Sequence, residues 1–400
     1  MTTPLTGTTS NGVPYLAVPP ASDAAAAPVI VLWHLMDAPR TEAAFAAALP
    51  LDGLDAWKVY LGLPTFGARS LPGGVDEVMR LLATEAPGLV HGPVHSQAAE
   101  EFPAAWAELS KTLGIGADVP AGLVGGSMGA AIASEVLARG TSGATAAVLV
   151  SPLLQLRPMI DAVSPQFGGY DWTDAGTAAA ERLDYEARAS ELVGSGAAIR
   201  IIVGADDEQA IISSALAVAA AVGADVQLLD GMEHALAEEP GIEPAPQTEV
   251  AKRVDPIAAE WLHEHLMVTL DDVARISLGL PQVTEGEHRG SRQWSVAGKA
   301  FAWERPFSKA DIRRFGDATP PSGPILAVRV EDLGEKEAVL AGQAKGFFTI
   351  PHFDGYAAVL IQLGVVGTEA LREALLDGWL SCAPRGLAAD YIARESRDRR

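Results

Sequence analysis

A single cysteine, Cys382, stands in a chain of 400 residues. No internal disulfide can form, and nothing beside it has the spacing of a metal-ligand set. What remains is a small apolar residue under a C-terminal helix. Long apolar runs are also missing. Ala24 to Met36 and Ala144 to Leu156 are interrupted by Pro, Ser or His and are too short to span a bilayer, so no membrane segment is expected. The opening residues lack a charged start followed by an apolar stretch, which sets the expectation of a cytoplasmic protein. Basic residues are scarce: 29 Lys and Arg face 51 Asp and Glu, a net charge of −22. The imbalance is one-sided. Residues 1–267 hold 12 basic and 33 acidic residues, whereas residues 268–400 hold 17 and 18. The first segment repels phosphate backbones and anionic lipid, and the second has no strong electrostatic footprint for nucleic acid.

What is present is a rhythm. Apolar β-type runs at Val13–Val18, Pro28–Trp33, Trp57–Leu61, Pro120–Val124, Ala146–Val150, Arg200–Val203 and Asp225–Leu229 alternate with helical patterns at Glu42–Ala48, Ala98–Leu113, Ala130–Arg139, Glu208–Ala221 and Thr248–His265. Continuous apolar strands separated by helices predict a mostly parallel sheet with helices on both faces. Right-handed crossovers then bring the C-terminal ends of the strands to one edge, where such sheets carry their chemistry. Pro64–Ser96 and Arg157–Ser195 interrupt the rhythm at that edge and read either as a roof over a pocket or as plain surface insertions. Near residue 267 the style changes. A helix over Asp271–Leu278, strands at Arg292–Val296 and Ala300–Trp303 turning at Gly298, a strand at Ile325–Val330 and a helix over Asp332–Leu340 are expected. A hairpin of Phe347–Ile350 with Ala357–Leu363 and a helix from Glu369 to Trp379 follow. The division is a first domain of residues 1–267 and a smaller α+β domain of residues 268–400 with an antiparallel sheet.

The chemistry concentrates at A-G-L-V-G-G-S-M-G-A-A-I-A, residues 121–133, which holds the one G-x-S-x-G of the chain with Ser127 at its centre. An apolar strand precedes it and a helix follows, the context in which a serine sits on a strained turn with its hydroxyl presented. Gly125 and Gly129 let the two backbones approach, and the helix N-terminus adds amide donors and a positive dipole end. A serine hydroxyl needs a base, and the base an orienting acid. The order Ser, then Asp or Glu, then His is met by Asp206 or Asp207 after one strand and His234 after the next. Of eight histidines only His234 lies just past a strand at that edge. A dinucleotide loop is excluded by the spacing and by Ser151, which ends the next strand where an acid is required. His91 and His95 in H-G-P-V-H read as loop residues and not as a metal pair, and His263 and His265 as surface residues near a helix end.

These residues resemble the α/β-hydrolase family, in its esterase and dienelactone-hydrolase-like branches, over residues 13–267. The resemblance implies a serine hydrolase that cleaves an ester-like bond of a small-molecule substrate through an acyl-enzyme. The family pattern G-x-x-D falls on Gly204-Ala205-Asp206-Asp207 and selects Asp207 as the acid. One oxyanion donor is then the backbone N–H of Met128. The second comes from the loop W-H-L-M-D, where His34-Leu35 replaces the family's His-Gly and leaves Leu35 or Met36, with Met36 favoured by analogy. His34 is expected to brace that loop. Leu35, Met36 and Met128 are apolar and imply a small apolar substrate, with Leu35 taken as substrate-binding. No metal and no cofactor are implied.

The C-terminal segment resembles the MmcQ/YjbR-like family, a double-wing α+β fold that has been linked to DNA binding, over residues 268–392. The carrying blocks are T-L-D-D-V-A-R-I-S-L-G-L-P-Q-V-T-E-G at 269–286, K-A-F-A-W-E-R-P at 299–306, L-A-V-R-V-E-D-L-G-E-K-E-A at 326–338 and F-F-T-I-P-H-F-D-G-Y at 347–356. Trp303, Arg305 and Phe307 offer aromatic and cationic contact to a ligand or a base, and Asp354-Gly355 is strong hairpin chemistry. The near-zero charge of residues 268–400 makes a ligand, a protein or regulation of the hydrolase the expectation ahead of nucleic acid. The rival to the enzyme is a non-catalytic hydrolase-fold scaffold carrying a ligand- or DNA-binding module. Oligomeric state is not legible in the sequence.

Overall fold

A computed structural model describes residues 3–398 apart from 22, 23, 26, 118, 317–319, 322, 343 and 345. The chain falls into two units, Met1–Leu266 and Met267–Arg400. Among the described residues no helix is long and apolar enough to cross a membrane.

The first unit is built on eight strands: β1 Leu5–Thr8, β2 Pro14–Val18, β3 Val29–Trp33, β4 Trp57–Leu61, β5 Ala121–Gly126, β6 Ala146–Val150, β7 Ala198–Gly204 and β8 Asp225–Leu229. Their order is β1-β2-β4-β3-β5-β6-β7-β8. From β4 to β8 every pairing is parallel, and β2 runs antiparallel to both β1 and β4. With helices on both faces this is the α/β-hydrolase fold. The reason lies in the central runs. V-I-V-L-W, W-K-V-Y-L, A-G-L-V-G-G and A-A-V-L-V are buried along their whole length. A strand covered on two faces needs apolar side chains on both, which only flanking helices can cover. Each large side chain fully buried here, such as Trp33, Leu32 or Phe45, contributes about 1.5–3 kcal/mol.

The helix Met128–Ala138 that follows β5 is buried on almost every side. It is made of small residues, so the 22-residue helix Gly92–Leu113 packs close on it. Its one buried charge, Glu135, is paired with Arg139 and Arg188, each at 2.7 Å. An unpaired carboxylate there would destabilise the core strongly.

Two features depart from the sequence expectation. β1 was not anticipated, because L-T-G-T is exposed at all four positions and carries no apolar pattern. The stretch holding His91 and His95 is helical rather than a loop. A helix over Gly74–Ala86 kinks at Glu85 and continues through a π-helical turn, Pro87–His91, into Gly92–Leu113. The glycines are packing residues: a Cβ on Gly92 would lie 2.8 Å from the Ala179 side chain of the helix Asp174–Arg182.

The second unit has six strands, β9 Val283–His288, β10 Ser291–Val296, β11 Lys299–Glu304, β12 Ile325–Arg329, β13 Phe347–Phe348 and β14 Ala358–Gln362, in the order β13-β14-β12-β11-β10-β9. All pairings are antiparallel. One face packs against the helices Leu270–Leu278 and Thr368–Cys382 around the buried Trp294, Phe301 and Trp379. Cys382 is buried at the end of the second of these helices. β9 and the short helix Lys309–Arg314 were not anticipated, the strand because V-T-E-G-E-H is almost wholly exposed.

Candidate active site

Ser127 stands between the end of β5 and the first turn of Met128–Ala138, with φ 49° and ψ −112°. That is a costly conformation for a non-glycine residue, of order 1–3 kcal/mol, and it persists only where the surroundings fix it. Here the Ser127 N–H donates to the Val150 carbonyl at 2.9 Å. Its own carbonyl accepts from the amides of Ala130, Ala131 and Leu153 at 3.1–3.2 Å. Close approach is equally fixed: a Cβ on Gly129 would lie 2.2 Å from the Trp33 carbonyl oxygen, and one on Gly125 2.2 Å from that of Gly129.

The structure brings Ser127, His234 and Asp207 together. His234, in the loop after β8, has Nε2 2.8 Å from Ser127 Oγ. Its Nδ1 lies 3.0 and 3.1 Å from the two carboxylate oxygens of Asp207. Asp207 follows β7, its side chain is wholly buried, and it also accepts from the Glu208 amide at 2.7 Å. Asp206 is exposed, and its amide donates to the Met232 carbonyl. Burial of His234 opposes a charge on the ring. The hydrogen bond and charge of Asp207, with the charges of Asp37 and Glu208, outweigh it and raise the pKa above the ordinary imidazole value.

The loop after β3 supplies the other side of the site. His34 is buried, with Nδ1 2.6 Å from the Leu35 carbonyl and Nε2 accepting from the Leu63 amide at 3.1 Å. Burial, only partly offset by the Leu35 carbonyl, lowers its pKa to about 4. The ring is therefore neutral with its proton on Nδ1, and it ties down the Leu35 carbonyl. In a trans peptide the next N–H points the opposite way, so the Met36 amide is directed away from His34. The Met128 amide opens a helix and has no intrahelical acceptor. The Leu35 side chain corrects the expectation of a substrate contact. It is fully buried, packs over Gly126 and takes no part in the pocket wall.

Arg40 clasps this loop to the histidine loop. Its Nε donates to the Met36 carbonyl at 2.9 Å, and its other nitrogens reach the Glu239 carboxylate and the Pro240 carbonyl. Backbone bonds from Arg40 to Gly241 and from Leu236 to Ala38 add to the clasp.

Ser127, Met128, His234 and Met36 open on a cavity of about 680 Å³. Both stretches that interrupt the fold's rhythm contribute walls, Val78, Met79, Leu82 and His91 from one and Leu153, Met159 and Val163 from the region of the other. Among the polar residues of this cavity that sequence reasoning missed, two stand out. Asp37 places Oδ2 3.6 Å from His234 Nε2, and His91 reaches the wall from the helical passage read as a loop. No sequence motif marks either. His95 lies behind the wall, Nε2 2.9 Å from the Tyr185 hydroxyl. Among the described residues no group of three or more His, Cys, Asp or Glu could hold a metal ion.

No family model matches the chain. Among solved structures it is similar to TT1662 from Thermus thermophilus, at 16% identity over 66% of this chain and 98% of that one, with a TM-score of 0.44. It is similar also to Est1E from Butyrivibrio proteoclasticus, at 12% identity over 66% and 98%, with a TM-score of 0.43. In sequence it matches Uncharacterized protein Rv2570 of Mycobacterium tuberculosis and Uncharacterized protein Mb2600 of Mycobacterium bovis. Each is 44% identical over 130 residues, 32% of this chain and 98% of the relative. Over that 130-residue stretch the chain belongs to the family of these mycobacterial proteins.

Proposed function

We propose that the first unit is a serine hydrolase that cleaves a carboxylic ester-like bond through an acyl-enzyme. Ser127 Oγ attacks the carbonyl carbon while His234 Nε2 takes its proton and passes it to the leaving alkoxide. Water then loses a proton to His234, attacks the acyl carbon and frees Ser127. Asp207 holds the imidazole in the required tautomer and stabilises its charged form. The amides of Met128 and Met36 receive the oxyanion. The apolar walls Met159, Leu153 and Val163 favour a small, largely apolar acyl body. The observation that carries this reading is the unbroken chain Ser127–His234–Asp207, at 2.8 and 3.0 Å, on the floor of a cavity. A fluorophosphonate probe tests it. Labelling of the wild type that vanishes in Ser127→Ala supports the hydrolase, and an unlabelled, well-folded wild type leaves only a scaffold.

For the second unit we infer an MmcQ/YjbR-like module that binds a ligand or a protein rather than nucleic acid. A cavity of about 860 Å³ presents Lys299, Arg329 and Arg385 against Glu331, Glu335, Glu373 and Asp377. The Arg305 guanidinium is engaged by Asp311 at 2.9 Å, and that of Arg329 by the Tyr356 hydroxyl at 3.0 Å. Four carboxylates against three cations in that cavity disfavour a phosphate backbone there.

A further inference from the structure

The polar side chains on the wall of the catalytic cavity are mostly acceptors or already engaged donors; the Thr65 hydroxyl, buried and without a partner among the described residues, is the exception. His91 is only 8% exposed. Its Nδ1 lies 3.0 Å from the Ala86 carbonyl and must carry the ring proton to bond it. Its Nε2 has no partner among the described residues, and the ring lines the cavity. Burial lowers the pKa of this imidazole against the opposing effects of the Ala86 carbonyl and the Asp37 charge, so Nε2 is a bare acceptor. Asp37 is half-exposed, and its one partner among the described residues is His234. The hydroxyls of Thr41 and Ser70 donate to the carbonyls of Ile242 and Gly67. The one basic chain of the wall, Arg40, is engaged by Glu239 and by the carbonyls of Met36 and Pro240.

Such a wall rejects an anionic substrate and leaves an acceptor unfilled for a purely apolar one. His91 Nε2 opens on the cavity, where a donor on the ligand can fill it. Charge narrows its nature. Asp37 follows Met36 directly and lies beside the nitrogen that carries the proton in the proposed reaction. Its carboxylate lines the cavity 3.6 Å from His234 Nε2, and a cation on the substrate is what balances it. A cation within reach of that carboxylate lies near the scissile carbonyl.

We propose that the cavity takes an α-amino acyl substrate, its protonated amine bound by the Asp37 carboxylate, with His91 Nε2 as a second, neutral acceptor for the same head group. This rests on the serine-hydrolase reading and adds the substrate class. The amine is a spectator: the ester C–O bond breaks, a C–Oγ bond to Ser127 forms and is then hydrolysed, and the products are an amino acid and an alcohol.

The test compares three methyl esters of one carbon skeleton on the full chain at pH 7. They are those of leucine, 2-hydroxy-4-methylpentanoic acid and 4-methylpentanoic acid, with an ammonium, a hydroxyl or a hydrogen at the same carbon. Each kcat/KM is divided by the ester's own rate with hydroxide. The leucine ester is expected to exceed the unsubstituted ester by about tenfold or more, the hydroxy ester falling between. Asp37→Asn should compress the first ratio to within about threefold, and His91→Phe should lower it by a smaller factor. Equal or faster turnover of the unsubstituted ester, a hydroxy ester as good as the amine, or a ratio untouched by Asp37→Asn overturns the proposal while leaving a serine hydrolase in place. Absence of turnover on all three esters together with absence of fluorophosphonate labelling removes both readings.

Discussion

Leu35 closes over the backbone of Gly126: a Cβ built on that glycine would lie 2.2 Å from Leu35 Cδ1. The strand leading to the proposed nucleophile and the loop carrying the proposed oxyanion donor are thus in contact through one side chain with no room to spare. Gly126→Ala should push Leu35 outward, lowering stability by about 1–3 kcal/mol and kcat by about tenfold as Met36 moves. Adding Leu35→Ala to Gly126→Ala should restore part of the stability, so that the double variant loses less than the sum of the two. Urea unfolding of the four proteins in this cycle measures it, and strict additivity would show that the two residues do not press on each other.

Ser127→Ala should abolish fluorophosphonate labelling and lower kcat by about 10³-fold or more, with the far-UV circular dichroism unchanged. Ester hydrolysis by this variant at the wild-type rate would remove Ser127 from the reaction.

Asp207 and Asp206 are adjacent but differ in burial and in contact with His234. Asp207→Asn should lower kcat by about 10³- to 10⁴-fold, because an amide favours the wrong imidazole tautomer. Asp206→Asn, at an exposed position, should stay within about threefold of wild type. Steady-state kinetics on a p-nitrophenyl ester separates the two, and a reversed order would assign the orienting acid to Asp206.

Activity should follow the neutral form of His234. Its pKa lies above the ordinary imidazole value, so kcat/KM is expected to rise with pH through an inflection above about 6.5. The negative charge of Asp37 is one cause of that elevation, so Asp37→Asn should move the inflection to lower pH. A pH–rate profile reads this directly. An inflection that stays in place or moves upward would mean that Asp37 does not act on the ring.

Stability should show an acid limb set by the other buried histidines, His34 and His95 foremost, with His91 acting in the same sense. Burial holds the pKa of His34 and that of His95 at about 4 in the folded chain. Below about 6.5 the unfolded chain takes up protons that the folded chain refuses, so stability falls from that pH down to about 4 and then levels. The loss is roughly 3 kcal/mol for each fully buried ring. Glu135, held at about 2, adds its own loss only at lower pH, as the unfolded carboxylate begins to protonate. His234 acts in the opposite sense, since its raised pKa gives stability that is present in acid and lost as pH rises. Urea midpoints at pH 7 and 4.5 test the balance, and equal midpoints would show that the buried rings are protonated without cost.

The sheet was legible because its strands are apolar on both faces. Trp57–Leu61 and Ala146–Val150 have the same ends in the sequence pattern and in the fold. β1 and β9 were not, because an exposed edge strand is held by backbone hydrogen bonds that leave no mark on side-chain pattern. The sequence also misled where glycine and proline serve packing. In P-G-L-V-H-G-P the prolines stand in the opening turns of the two helical pieces, where no amide is needed, and Gly92 admits the neighbouring helix. That misreading hid His91 from the cavity. Leu35 was misjudged because an apolar residue beside a nucleophile can face the pocket or the core, and only the space above Gly126 decides which.

The guanidinium of Arg40 grips the Met36 carbonyl on one side and the segment at Glu239 and Pro240 on the other, some 200 positions along the chain. The proposed proton carrier and the proposed anion receptor are therefore mounted on a common bracket. Were the His234 loop displaced, the Met36 peptide would be pulled with it through Arg40, so the proposed base and the proposed receptor are coupled in position and not set independently.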